Sequence, residues 1–322
     1  MMRRHVVLFA TAVLVAVALG PPPARATRSV LLPDLRQAPV GCAGGYSGDV
    51  SRCVDWDVCP VADPAAPNGE CVRKGSIGAV RLRFTTSADN IGDGPLLIHG
   101  SRGHTGQSRM AARQAFQSAV DGSIPMSYEE SQRPIPAAMY YEPAVTHEHW
   151  HLLGFEHFQL RTPSGDTVVT DRKNGFCLGD RYVTPDHVAS RPADDGSPQG
   201  RLSAFLRQNR CGHHAPEALN VVQGISAGYG DDYVYTVDFQ WLDISKVPSG
   251  VYDLVNIVNA DRSLLEKSYT NNASSMAISI RWPSHAASPP ATITQLPEVR
   301  LIRNCPGTDR CAQLLQLTQL GH

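Results

Sequence analysis

Short stretches in which apolar and polar residues alternate recur along the chain, and this period of two is typical of half-buried β-strands. Residues 79–86 alternate in this way, and the turn-forming residues 90–95 separate them from a second apolar stretch at 96–99. Together these three stretches predict a β-hairpin.

Two further pairs of stretches show the same pattern. The first pair is 155–161 and 167–170, separated by a Pro-Ser-Gly-Asp turn, and the second is 233–239 and 251–258, with Val-Pro-Ser-Gly between them. We therefore expect two more hairpins in these parts of the chain.

The rest of the chain adds single strands and little helix. Strands are predicted at 276–282 and 299–302, an extended connector at 283–290, and a turn or two of helix within 202–208. The chain has Gly 27 and Pro 24, spread along its length, which favours many short strands joined by turns. The expected fold is mainly β, an antiparallel β-sandwich with long loops that carry the chemistry.

Composition excludes some classes of partner. Charged residues make up 18% of the chain and the formal net charge is -1. Because no basic excess is present, neither a nucleic acid nor an anionic membrane surface is expected as a partner.

The first 26 residues have the pattern of a secretory signal peptide. A basic head precedes an apolar run at 6–20, and an Ala-x-Ala site ends at Ala26. We expect cleavage after Ala26 and a secreted, soluble mature protein, since no second apolar segment approaches membrane length. An uncleaved membrane anchor is the alternative.

The eight cysteines also fit an oxidising, extracellular compartment. Four of them, Cys42, Cys53, Cys59 and Cys71, crowd a segment rich in Gly, Asp and Pro, which favours two local disulfides over a metal site. Cys305 and Cys311 are close enough to close a small loop, and by elimination Cys177 pairs with Cys211.

A histidine-rich stretch at 146–157 is the strongest chemical signal. His147, His149 and His151 follow one another at i, i+2 and i+4, so on a β-strand they would line one face. Three converging imidazoles hold a cation such as copper or zinc. The alternative is a histidine-rich strand packed in the core or solvated at the surface.

Three further sequence motifs, taken together with the histidines, resemble those of a known protein family. They are Asp-Arg-Lys-Asn-Gly-Phe-Cys-Leu-Gly-Asp at 171–180, a glycine-containing stretch that leads to Tyr233, and Gln-Trp-Leu-Asp-Ile at 240–244. With the histidines, they make the chain resemble the lysyl oxidase family from about residue 80 to 282. The resemblance implies copper binding by the histidine triplet and a lysyl-tyrosyl quinone (LTQ) cofactor formed from Lys173 and Tyr233.

The resemblance also implies an activity. The family's copper and quinone oxidise a primary amine, such as peptidyl lysine, to an aldehyde with dioxygen as oxidant, and release hydrogen peroxide and ammonia. His157 follows the triplet at nearly the distance of a further family histidine and is expected as the catalytic base. The domains are then the signal peptide at 1–26, a disulfide-rich segment at 27–76 and the catalytic domain at 77–322.

A calcium site is a further implication of the resemblance. Glu266, Asn271 and Asn272 resemble a family stretch that binds calcium together with an N-terminal aspartate, here Asp34. Their oxygens are hard ligands that suit calcium. Ser268 stands where the family pattern has an aspartate, and turn-forming asparagines are the alternative.

Two other functions stay open at the level of the sequence. The histidine strand also suits a zinc lyase or hydrolase, in which Lys173 and Tyr233 would have no role. The disulfide-rich segment would also suit a non-enzymatic secreted β-sandwich that binds copper or a polymer. The sequence indicates neither the physiological substrate nor the oligomeric state.

Overall fold

The computed structural model describes residues 29–67, 69–173 and 175–313. The predicted signal peptide lies outside these ranges. Within them, no helix is long and apolar enough to cross a membrane.

The described part of the chain consists mainly of short strands, with little helix. The first ten strands are β1 (Val30–Leu31), β2 (Leu35–Gln37), β3 (Trp56–Val61), β4 (Ala79–Phe84), β5 (Thr86–Asn90), β6 (Leu96–Ser101), β7 (Arg109–Ala115), β8 (Gln117–Ser118), β9 (Arg133–Glu142) and β10 (His149–Leu153). The others are β11 (Glu156–Arg161), β12 (Thr167–Thr170), β13 (Gly175–Phe176), β14 (Tyr182–Val183), β15 (Asn220–Ile225), β16 (Tyr229–Tyr233), β17 (Trp241–Asp243), β18 (Gly250–Val258), β19 (Ala273–Arg281) and β20 (Glu298–Cys305). The helix α1 is Pro198–Gln208, and short 3-10 turns are Val50–Arg52, Val188–Ser190 and Pro283–His285.

These strands form five sheets within the described residues, and all of their pairings are antiparallel. The largest has the order β13-β10-β9-β7-β6-β15, and the next has the order β12-β11-β18-β19-β20. A third sheet, β14-β16-β5-β2, lies beside them in the core. The predicted mainly β, antiparallel fold is confirmed.

Aromatic rings from different sheets contact one another in the core. Phe84 of β4 contacts Phe158 of β11 with ring centroids 5.3 Å apart, and Phe158 lies 6.3 Å from Phe176 of β13. Phe176 in turn lies 5.0 Å from the ring of Tyr233 at the end of β16. Each edge-on contact adds about 0.5–1.5 kcal/mol beyond area burial, so this row fixes four strands relative to one another.

Several predicted elements are confirmed. β11 and β12 form the expected hairpin, and β18, β19 and β20 contain the predicted strands. The helix is longer than predicted because Ser197 caps it, accepting a hydrogen bond from the backbone N–H of Gly200 at 3.1 Å.

Two predicted elements are wrong. The stretches 79–86 and 96–99 form no hairpin, because β4 pairs with β3 and β17 whereas β6 pairs with β7 and β15. The stretches 233–239 and 251–258 form no hairpin either, because the first strand ends at Tyr233 and β16 pairs with β14 and β5, whereas β18 pairs with β11 and β19. In both places a change of direction carries the chain from one sheet to another, which alternation alone does not reveal.

The predicted disulfides are confirmed within the described residues. Cys177 pairs with Cys211 and Cys305 with Cys311, and the four N-terminal cysteines form two local bridges, Cys42–Cys53 and Cys59–Cys71. The disulfide-rich segment is also tied to the sheets, since β2 pairs with β5 and β3 with β4. The domain boundary after residue 76 stays a prediction.

Candidate metal and cofactor site

Three histidine rings converge at the start of β10, but not all of them lie on the strand. His149 and His151 share one face of β10, whereas His147 lies in the preceding turn. Glu148, between His147 and His149, has a φ of 45°. The prediction of three histidines on one strand is therefore wrong for His147. The ring centroids nevertheless lie 5.4, 4.8 and 4.7 Å apart, and the two Nε2 atoms of His149 and His151 are 2.9 Å apart.

The three imidazoles are held in the neutral form. Burial lowers the pKa of His147 to about 3, helped by the positive charge of Lys173. Burial also lowers the pKa of His149 to about 3 and that of His151 well below its usual value. Neutral imidazole is the form that binds a metal, so this donor set fits copper or zinc.

Asp238 lies behind the triplet. Its Oδ2 accepts a hydrogen bond from the Thr146 hydroxyl and lies 3.4 Å from Nδ1 of His147. Asp238 is buried in the turns that follow β16, in the stretch where a strand was predicted. A carboxylate at one ring nitrogen of a histidine fixes the orientation of the ring and leaves the other nitrogen for a metal.

Lys173 lies between β12 and β13 and is almost completely buried, with 3% of its surface exposed. Its Nζ is 5.1 Å from the ring centroid of Tyr233 and 5.2 Å from that of Phe176. Burial lowers the pKa of Lys173 to about 8, against the opposing effect of Glu156 and other nearby carboxylates. The side chain therefore supplies a largely neutral amine in mildly alkaline solution, next to an aromatic ring.

Tyr233 ends β16 with its hydroxyl in a polar corner. The hydroxyl oxygen lies 2.7 Å from Oδ2 of Asp231 and 2.9 Å from the carbonyl oxygen of Cys177, and both are hydrogen-bond acceptors. Burial raises the pKa of Tyr233 well above its usual value and that of Asp231 to about 8. Asp231 is thus the side-chain acceptor for the phenolic proton.

The predicted base His157 and its neighbour Glu156 point in opposite directions from β11. Glu156 is completely buried and accepts hydrogen bonds from Thr86 at 2.9 Å and Gln37 at 3.3 Å. Burial raises its pKa to about 7, while the charge of Lys173 opposes that change. His157 is half-exposed and lies 3.9 Å from Asp171, which raises its pKa. The assignment of His157 as the base stays a prediction.

The four residues predicted to bind calcium come together. Asn271 donates to Asp34 at 2.8 Å, Asn272 donates to Glu266 at 2.7 Å, and the backbone N–H of Leu35 donates to Glu266 at 2.7 Å. Among the described residues, the buried Oδ1 atoms of Asn271 and Asn272 have no hydrogen-bond partner. Two unpaired oxygens beside two carboxylates fit a hard cation, and calcium binding stays a prediction.

A sequence model of the family described as Lysyl oxidase matches residues 123–287, just over half of the chain of 322 residues. The chain belongs to the lysyl oxidase family. The matched range contains the histidine triplet, Lys173 and Tyr233. Lysyl oxidases are a family of copper-dependent amine oxidases.

Individual relatives match over a shorter range. Lysyl oxidase homolog 3 of Homo sapiens is 28% identical over 140 residues, which cover 43% of this chain and 15% of that protein. Lysyl oxidase homolog 2 of Xenopus laevis is 30% identical over 127 residues, covering 39% and 14% respectively. The match thus spans about 15% of the length of such relatives.

Three buried acids near the site were not identified from the sequence. Asp231 precedes Tyr233 by two residues on β16, and this spacing on a strand could have indicated a shared face. Glu156 could have been found as an acid at an apolar position of the alternating strand β11. No local pattern predicts the contact of Asp238 with His147, because it depends on a turn packed against a distant segment.

Proposed function

We propose that this lysyl oxidase family member is a copper-dependent primary amine oxidase whose quinone cofactor forms from Lys173 and Tyr233. The observation that carries the proposal is the contact of the Lys173 amine with the Tyr233 ring, at 5.1 Å from the ring centroid. When present, copper and the quinone would oxidise the amine to an aldehyde and release its nitrogen as ammonia. Dioxygen would be the oxidant and would be reduced to hydrogen peroxide.

The chain's own residues have distinct roles in this proposal. His147, His149 and His151 would hold copper, and Asp238 orients His147. The Tyr233 hydroxyl donates a hydrogen bond to Asp231, and the buried Lys173 amine is the nucleophile that joins its side chain to that of Tyr233. Of these residues, His147, His151 and Lys173 line one cavity.

A base is still needed to take a proton from the substrate, and two residues of β11 compete for that role. His157 is the residue indicated by the family resemblance. Glu156 is favoured by its titration, because burial raises the pKa of its carboxyl to about 7, although the side chain is completely buried. A base with a pKa near neutrality transfers protons efficiently in both directions.

A cavity of about 210 Å³ leads to Lys173 and the triplet. Its walls include His147, His151, Lys173, Tyr140 and Glu142. A space of this size admits an unbranched alkylamine, while its walls carry Arg109 and Arg172 as well as the Glu142 carboxylate, so charge alone does not favour an ammonium group. We infer that the substrates are primary amines on slender chains, including the lysine side chain of a peptide.

Secretion completes the proposal. Four disulfides are present in the described residues, and such bridges persist in oxidising compartments. A secreted oxidase would meet peptidyl lysine and dioxygen outside the cell.

The test is the substitution Tyr233→Phe in copper-loaded protein. Loss of the hydroxyl prevents oxidation of the ring, so we expect loss of both the quinone redox stain and the peroxide produced from a primary amine. Tyr235→Phe is the matched control, since Tyr235 lies two residues further on and packs against Arg83. Equal peroxide production by Tyr233→Phe and the wild type would contradict the quinone assignment.

A zinc lyase or hydrolase is the second candidate, because three neutral imidazoles also suit zinc. In that case Lys173 and Tyr233 would have no chemical role. Metal analysis of protein purified without added metal separates the two functions. Stoichiometric zinc with hydration or esterase activity, and no visible absorbance after exposure to copper and air, would support the zinc enzyme.

A further inference from the structure

A second cluster of metal-ligating side chains lies beside the triplet, and the proposed oxidase function does not use it. Glu148, His213 and His214 each offer one donor atom, and these three atoms lie within 4.8 Å of one another. Nδ1 of His214 is 3.5 Å from Oε2 of Glu148, and the rings of His213 and His214 have centroids 3.7 Å apart.

The backbone holds two of the donors in an uncommon conformation. Glu148 has a φ of 45° and His214 a φ of 58°, both in the left-handed region that residues with a Cβ rarely adopt. The backbone N–H of His214 donates to the carbonyl oxygen of Glu148 at 2.8 Å, and the Tyr141 hydroxyl donates to the same oxygen at 2.7 Å. Strained residues of this kind concentrate at ligand sites, where surrounding contacts enforce them.

The loop that carries His213 and His214 is anchored at several points. Cys211 is bridged to Cys177, the indole N–H of Trp150 donates to the carbonyl oxygen of Ala215 at 3.0 Å, and Nε of Arg102 donates to that of Ala218 at 2.8 Å. The two histidines therefore project from a fixed loop, although their side chains are exposed. A fixed loop reduces the entropy lost when a ligand binds.

Two imidazoles and a carboxylate suit a divalent first-row transition metal. Donor atoms about 2.0–2.2 Å from such an ion lie about 3–4 Å apart, so small side-chain rotations suffice to close the cluster around it. We propose that Glu148, His213 and His214 form a second transition-metal site, which binds copper(II) more tightly than zinc(II), as the Irving–Williams order requires. The Glu148 carboxylate supplies the negative charge of this site, and it offsets the positive charge of Arg181, Arg207 and Arg210, which line a cleft together with His213.

The second site borders the first. The ring of His213 lies 6.3 Å from that of His149, and both line one cleft. Substitutions at each site are therefore needed to distinguish metal binding at one site from metal binding at the other. This proposal does not depend on amine oxidase activity, since it concerns only how many ions the chain binds and where.

The experiment uses the mature chain, stripped of metal and titrated separately with copper(II) and zinc(II), with bound metal counted by elemental analysis. We expect two ions in the wild type and one in His213→Ala/His214→Asn, where asparagine tolerates the left-handed backbone of position 214. His149→Ala/His151→Ala should keep one ion, and Glu148→Gln should weaken the second site at least tenfold. His285→Ala, at an exposed histidine outside the cluster, should still bind two.

Spectroscopy identifies the retained ion. In His149→Ala/His151→Ala loaded with copper(II), electron paramagnetic resonance should show hyperfine coupling from two imidazole nitrogens, lost on adding His213→Ala/His214→Asn. Thermal unfolding of each variant checks that it is folded. The proposal would be overturned by one bound ion in the wild type, by two in His213→Ala/His214→Asn, or by tighter binding of zinc(II) at this site. The first of these results would leave the oxidase proposal intact.

Discussion

Burial sets the chemistry of the individual residues at this site. Lys173 and Glu156 are both removed from water, and burial moves the pKa of the amine down to about 8 and that of the carboxyl up to about 7. The two groups therefore titrate close to neutral pH, within about one unit of each other. Ordinary exposed lysine and glutamate, with pKa values far apart, would not do so.

The raised pKa of Glu156 also predicts how the stability of the folded protein depends on pH. Its pKa is higher in the folded protein than in the unfolded chain, so the folded state loses stability as pH rises from about 4.5 through about 7. Glu156→Gln does not titrate and should reduce this loss by about 1–3 kcal/mol, which is the order expected for a shift of a few pKa units. Urea unfolding at pH 5 and pH 7.5 measures the difference.

Glu298→Gln is the control for this comparison, because Glu298 is exposed on β20. We expect its pH dependence to match that of the wild type. An unchanged pH dependence in Glu156→Gln would show that the carboxyl titrates normally in the folded protein.

The sequence named some of these residues and missed others for a physical reason. Lys173 and Tyr233 were identified from spacing that resembles a family, although nothing in their local sequence distinguishes them from a loop lysine and a strand tyrosine. Glu156 and Asp238 act through burial and long-range contact, which depend on how the sheets pack. Local patterns carry no such information.

At the level of elements, loops rather than strands complete the site. His147 lies in a turn before β10, Lys173 between β12 and β13, and Asp238 in the turns after β16. The Cys177–Cys211 bridge joins the segment that follows Lys173 to the loop that carries His213. This single crosslink therefore fixes two walls of the cleft.

We expect removal of this bridge to be costly. Cys177→Ala/Cys211→Ala opens a loop with a sequence separation of 34, for which chain entropy gives a loss of about 4 kcal/mol. Cys305→Ala/Cys311→Ala, with a separation of 6, should lose only about 2 kcal/mol. Urea unfolding of the two variants tests the order.

The first variant should also lose affinity for copper, whereas the second should not, because only the first bridge adjoins the cleft. Equal losses of stability in the two variants, with copper binding preserved in both, would show that the bridge does not organise the site.

The same distinction between strands and loops limits prediction of the fold. Alternation located β11, β18 and β19 because each has an apolar, buried face. It gave wrong partners to β4 and β6, since every residue of the intervening β5 is buried and the chain crosses between sheets there. Pairing is decided by packing between layers, which a single strand does not encode.

At the scale of the whole molecule, segments more than 200 residues apart in the sequence contact each other beside β2. Asp34, just before β2, contacts Asn271, and Leu35 donates to Glu266, so the N-terminal strand is held by the segment that precedes β19. β2 also pairs with β5, and Gln37 at the end of β2 donates a hydrogen bond to Glu156. The disulfide-rich segment is thus built into the architecture around the site.

The calcium prediction belongs to this scale, because the four oxygen-bearing residues lie where those two distant segments meet. If calcium binds, it should raise the melting temperature by several degrees, and a chelator should reverse the effect. Asn271→Ala/Asn272→Ala removes the two unpaired oxygens and should abolish the response. Differential scanning calorimetry with calcium, and with magnesium as the control cation, measures it. Equal melting temperatures with and without calcium would contradict the site.

The central claim is that Lys173 and Tyr233 become one cofactor, and mass spectrometry of proteolytic peptides tests it most directly. After copper loading in air, the peptides that contain these residues should be recovered as one covalently crosslinked species, absent from metal-free protein and from Lys173→Ala. Recovery of both peptides as separate, unmodified species from fully copper-loaded protein would contradict the account.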